Sequence, residues 1–121
     1  MTFKAIPILR IFDETRAKEF YVNFLGMNID WEHRFEENTP VYLRVSREDL
    51  VFHLSEHSGD GTPGTRVLIA TDKLDDLFNE MMGKKYKYNH PAIETAPWGD
   101  RVMECIDPFS NTLLFNEAQK T

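Results

Sequence analysis

Cysteine is almost missing from this 121-residue chain: Cys105 stands alone. That excludes an internal disulfide and any thiolate metal cluster. Its place in the alternating run Val102 to Ile106 reads as a buried, inert thiol. Long apolar runs are missing too, so nothing approaches a membrane span. Lys4, Pro7 and Arg10 interrupt the one N-terminal stretch that would otherwise resemble a signal peptide. The expectation is a cytoplasmic protein with no membrane partner. Basic residues are scarce, 14 Lys and Arg against 20 Asp and Glu, giving a formal charge of −6. This argues against nucleic acid as a partner and favours a cationic ligand through long-range attraction. His33 and His90 have no companion that makes a catalytic pair, and no activated Ser or Cys supplies a nucleophile.

What the chain does have is one helix written twice. Ala17, Phe20, Tyr21, Phe24 and Leu25, followed by Gly26, return 57 positions later as Leu74, Leu77, Phe78, Met81 and Met82, followed by Gly83. The i, i+3, i+4, i+7, i+8 spacing lays an apolar stripe along one side of a helix, and the glycine supplies its left-handed end. Asp13 or Thr15 caps the first copy. Before it, Ala5 to Phe12 reads as a peripheral or exchanged strand, with Pro7 tolerated only near a strand's start. After it, Met27, Ile29 and Trp31 alternate as a half-buried strand, echoed by Tyr86 and Tyr88 after Gly83. Val41–Val45 with Leu50–Ser55, and Val102–Ile106 with Thr112–Asn116, read as hairpins. Asn89 to Pro97 reads as a longer loop in the second half. The fold class is α+β: two βαβββ modules, 1–57 and 65–121, joined by 58–64 within one domain. They form curved mixed sheets around a cleft with the helices outside, and the working site is expected where modules face each other.

Two readings of chemistry follow from the residues. His53-Leu54-Ser55-Glu56-His57 matches an inverted zincin string, which needs a helix to bring residues four apart onto one ion. In a strand rising about 3.3 Å per residue the two imidazoles stand roughly 13 Å apart, so the string holds no zinc. The second reading is an aromatic face. If Val41, Leu43 and Val45 point to the helix side, the other side displays Trp31, Phe35, Tyr42 and His53, with Arg44 among them and Trp98 from the second half.

Two βαβββ modules, Phe20-Tyr21 within the first helix, Phe24-Leu25-Gly26-Met27 at its end, and Asp107-Pro108 before Asn111 resemble the vicinal oxygen chelate superfamily. That superfamily includes glyoxalases, extradiol dioxygenases and bleomycin resistance proteins. Ala5-Ile6-Pro7-Ile8-Leu9 and Pro97-Trp98-Gly99 are most similar to the bleomycin resistance proteins. Ser110 stands where the family's turn usually has Gly, so a different local turn is expected there. The resemblance implies metal-ligand positions at Ile6, His53, Arg66 and Leu114. Ile and Leu cannot ligate, Arg stays protonated, and one imidazole is too little, so no metal or other cofactor is expected. The resemblance also implies that Tyr42 and Trp98 flank a drug's planar rings, that Ala5-Ile6-Pro7 can be exchanged between partners, and that two chains form a homodimer. The expected function is non-enzymatic binding of a planar, cationic glycopeptide antibiotic of the bleomycin type, in a cleft at the homodimer interface lined by Tyr42, Trp98, Trp31, Phe35 and His53. The alternatives are a metal-dependent glyoxalase-like lyase, isomerase or dioxygenase recruiting His53 with Glu56 or Glu104, and a binder of an unknown small metabolite.

Overall fold

Period-2 alternation decides which side of each strand is buried, and the strand pairing follows from it. The computed structural model describes residues 1–119. The first module forms a four-stranded sheet in the order β1 (Ile8–Arg10), β4 (Leu50–Ser55), β3 (Tyr42–Arg47), β2 (Asn28–His33). The second forms its counterpart, β5 (Arg66–Ala70), β8 (Thr112–Glu117), β7 (Arg101–Ile106), β6 (Ile93–Thr95). In both, the first strand runs parallel to the last and the remaining pairs are antiparallel. The order strand, helix, three strands therefore occurs twice.

Helix α1 (Glu14–Lys18) starts at Asp13, whose carboxylate accepts the Arg16 amide at 3.0 Å, and continues as a π-helical stretch over Glu19–Phe24. Helix α2 spans Leu74–Gly83. The stripe Ala17, Phe20, Tyr21 and Phe24 is buried, and its rings pack edge to face and tilted on one another. Each large ring so removed from water contributes about 1.5–3 kcal/mol. Leu9, Val41, Leu43, Val45, Phe52 and Leu54 from the first sheet and Met103, Cys105, Leu113 and Phe115 from the second join the two helices in one core cluster. The helices thus cover the inner faces of both sheets, and the opposite sheet faces look away from each other. Burial pushes the Cys105 thiol up to about 12, which makes it inert near neutrality.

Several elements differ from their sequence pattern for identifiable reasons. Strand β1 keeps only three residues of the Ala5–Phe12 run, because residues before Ile8 find no ladder partner beyond the Pro7 carbonyl, which accepts the His53 amide. Met27, Ile29 and Trp31 do not share a face: a bulge at Asp30 sets Ile29 opposite Val45 on the core side and Trp31 opposite Arg44 on the outer side. Tyr86 and Tyr88 are not in a strand. Lys85 takes a left-handed φ of 52°, the chain turns, and Tyr86 packs on Phe24 with centroids 4.8 Å apart. The strand instead forms at Ile93–Thr95, inside the stretch read as loop. Ser110 adopts a left-handed φ of 69°, a region that glycine takes more readily.

Candidate ligand-binding face

Pairing register places Tyr42 opposite His33 and Ser55, and Arg44 opposite both Trp31 and His53, so these side chains share the outer face of the first sheet. Ile8, opposite His53 on β1, completes the row. Trp31 stacks on Tyr42, with centroids 5.9 Å apart and planes 11° from parallel. The His53 ring meets both edge-on, at 5.2 Å from each. The three rings form one continuous aromatic platform. Trp31 remains 42% exposed, so part of the platform is in reach of a ligand.

The polar atoms of the platform are arranged unevenly. The Tyr42 hydroxyl and His53 Nδ1 are hydrogen-bonded at 2.7 Å, while His53 Nε2 is buried without a partner among the described residues. Burial first, and then the Arg44 charge, lowers the His53 pKa from its ordinary 6.5, so the imidazole is neutral near neutral pH. Burial, then Asp60, raises the Tyr42 hydroxyl. Arg44 is itself held by Asp30, whose two oxygens take Arg44 Nε at 3.1 Å and the Ser46 hydroxyl at 2.9 Å. The bulge residue thereby compensates the one cation on the platform. Phe35, 78% exposed just beyond β2, extends the aromatic surface through His33 at 5.1 Å and His57 at 6.4 Å.

Trp98 lies elsewhere, on the outer side of the second sheet. A tight turn from Ala96 to Gly99 presents it, with the Gly99 amide donating to the Ala96 carbonyl at 2.9 Å and Gly99 at φ 96°. Its indole N–H donates to Asn116 Oδ1 at 3.0 Å, and Asn116 Nδ2 donates in turn to Asp100 at 2.9 Å. The ring stays 57% exposed. One chain therefore brings Trp31, Tyr42 and His53 together, with Phe35 beside them, and does not bring Trp98 to them. Asp30, Asn116 and Asp100, which hold these side chains in place, carry no motif that would have revealed them.

The positions implied for a metal do not fit one. Ile6 and Leu114 have no donor atom, Arg66 pairs with Glu104 at 3.2 Å, and His53 already uses Nδ1. Glu56 accepts the Val41 amide at 3.0 Å. Among the described residues no group of three or more His, Cys, Asp or Glu side chains is placed to share an ion. His53 lies in β4 and His57 beyond its end, as strand geometry requires for the zincin-like string. Among the described residues no helix is long and apolar enough to cross a membrane.

A family model described as glyoxalase superfamily protein matches residues 1–121. Among solved structures, a bleomycin-binding protein complexed with bleomycin superposes with a TM-score of 0.74 at 21% identity, over 98% of this chain and 100% of that one. The bleomycin-binding protein of bleomycin-producing Streptomyces verticillus, complexed with copper(II)-bleomycin, gives 0.74 at 23% identity over 98% of each chain. TnmS3, an antibiotic binding protein from Streptomyces sp. CB03234, gives 0.67 at 19% identity over 98% and 99%. At these identities the likeness is one of fold. No curated protein matches significantly in sequence.

Proposed function

The chain belongs to the glyoxalase superfamily, and from that premise we propose that it binds, without chemical conversion, a planar cationic antibiotic of the bleomycin type. The observation that carries this reading is the stacked Trp31–Tyr42 platform with His53 edge-on against it and Trp31 still 42% exposed. Stacking needs only a flat partner, and the acidic balance of the chain favours a positively charged one. Sequestration lowers free drug by mass action and requires no reacting group. The ligating positions that superfamily enzymes use are Ile6, His53, Arg66 and Leu114 here, which supports binding over metal-dependent catalysis.

Two identical chains complete the site in this proposal. The platform of one faces Trp98 on the second sheet of its partner, because within a chain the two outer faces are turned apart around the shared core. The exposed apolar side chains Leu68 and Ile106 on that second sheet give the contact a hydrophobic component. A symmetric dimer then holds two equivalent clefts.

Titration with metal-free and copper-loaded bleomycin, followed by tryptophan fluorescence and calorimetry, tests the reading. Saturable binding that Tyr42→Ala and Trp98→Ala each weaken at least about tenfold, as loss of one stacking partner implies, is the expected result. No binding tighter than about 1 mM overturns the drug assignment.

A further inference from the structure

The repeat is broken at one place, and the break leaves a hole. The Ile11 amide donates to Ser55 and the Thr71 amide donates to Asn116, which makes these positions equivalent in the two modules. From Ile11 to Ala17 the first module spends residues 12–16, including the first turn of α1; from Thr71 to Leu74 the second has only Asp72 and Lys73. The hairpins differ as well. Five residues, Asp107 to Asn111, separate the paired Ile106 and Thr112, whereas four, Arg47 to Leu50, separate the equivalent Ser46 and Val51.

The longer hairpin narrows its side of the molecule, leaving a cavity of only about 160 Å³ beside Asp107 and Pro108. Phe109 is buried against Phe12 at 6.1 Å, and Asp107 is locked by the Tyr21 hydroxyl at 2.6 Å. On the other side Phe78 takes the place of Tyr21 and has no hydroxyl, Arg47 stands at the counterpart of Asp107, and no aromatic tip reaches inward. Arg47 turns instead to Glu80, at 2.7 and 2.9 Å, and to the Leu25 carbonyl at 2.8 Å. What remains is a groove of about 710 Å³ between the modules, remote from the aromatic platform. Its size lies in the range of small-molecule sites.

The lining states what would fill it. Met27, Leu50, Ile69, Leu77 and Phe115 make an apolar floor. Around it stand Glu48, Asp49, Asp72 and Asp76, none of which has an ion-pair partner among the described residues, against the lining cation Lys73; Glu80 is shared by Arg47 and, beside the groove, Lys84. The start of α2 would draw anions, but the Glu117 carboxylate already accepts the Leu74 amide at 3.1 Å. We infer that this groove is a second ligand site, for a small amphipathic cation whose apolar body lies on the Met27–Leu77 floor and whose ammonium group sits among Asp49, Asp72 and Asp76. It does not depend on the aromatic platform, so either site can fail alone.

The test uses the full chain and two probes with one body and opposite charge, 4-phenylbutylamine and 4-phenylbutyrate, followed by amide shifts in NMR spectra. The amine is expected to shift Leu50, Ile69 and Leu77 saturably while the carboxylate does not. The surface variant D49N/D72N/D76N should weaken the amine by about tenfold, the scale of three exposed charges acting together, and Leu77→Trp should abolish it by filling the floor. Equal affinity for the two probes, shifts confined to Trp31 and Tyr42, or an unchanged affinity in the triple Asn variant of unaltered fold would overturn the inference. So would no shift at these residues up to about 10 mM amine.

Discussion

Tyr42 and His53 show what a single residue pair carries on this scaffold. Alternation around Val41, Leu43 and Val45 was enough to put both on one face; their 2.7 Å hydrogen bond was not legible, because it depends on the register of β3 against β4. The folded-state pKa of His53 lies below its ordinary 6.5, so in the window between the two values the unfolded chain binds more protons. Stability from this group is therefore full above about pH 6.5 and is lost as pH falls through that window. A cationic ligand adds repulsion in the same direction, since it meets an imidazolium once His53 is protonated. His53→Gln should flatten both effects between about pH 7 and about pH 5, read from urea midpoints and from binding titrations; an acid limb unchanged in the variant would assign it to other groups. Ser110 offers a second test. With φ at 69° it occupies a region costly for a residue with a β-carbon, so Ser110→Gly should raise stability by about 1 kcal/mol in urea unfolding.

At the scale of elements, the helices and the two hairpins were legible because their periodicities are unbroken over many residues, whereas β2 and β6 were not. A bulge is an extra residue with no compositional mark, and Asp30 reverses the parity of everything after it, which is why Trp31 escaped the core that Met27 enters. Strand β6 is three residues long and pairs with β7 alone, so no pattern of its own could declare it. The bond between elements that matters most is also non-local: the Tyr21 hydroxyl of the first helix donates to Asp107 in the second module's hairpin, 86 positions away. Asp107 meanwhile accepts the Phe109 and Asn111 amides at 2.8 Å each and the Asn111 side chain at 2.9 Å. Tyr21→Phe keeps the ring packing and removes one donor from a buried carboxylate. It should cost about 1.5–3 kcal/mol in urea unfolding, while an equivalent change in a solvent-exposed tyrosine, Tyr88→Phe, should cost under about 0.5 kcal/mol.

For the whole molecule, the doubled helix foretold two modules, but not that a chain alone would turn its outer sheet faces apart. That outcome follows from packing: both helices and both inner faces share one core, and the groove lies where the repeat fails. The proposed drug site then has only half its aromatic walls in any one chain. Leu68, at 59% exposed, and Ile106, at 48%, stand on the second sheet where the partner's platform would seat. Neither contributes to the core cluster, so replacing both with Glu should leave the unfolding free energy within about 0.5 kcal/mol per site. Charges placed in a desolvated contact are far costlier than on a free surface. The L68E/I106E chain should therefore sediment as a monomer at concentrations where the parent is a dimer. It should also lose bleomycin binding although Tyr42, Trp31 and Trp98 are untouched. If it sediments as a monomer yet binds the drug undiminished, the site is complete within one chain and the two-chain cleft is wrong. If the parent itself sediments as a monomer while saturated with drug, the same conclusion follows without the variant.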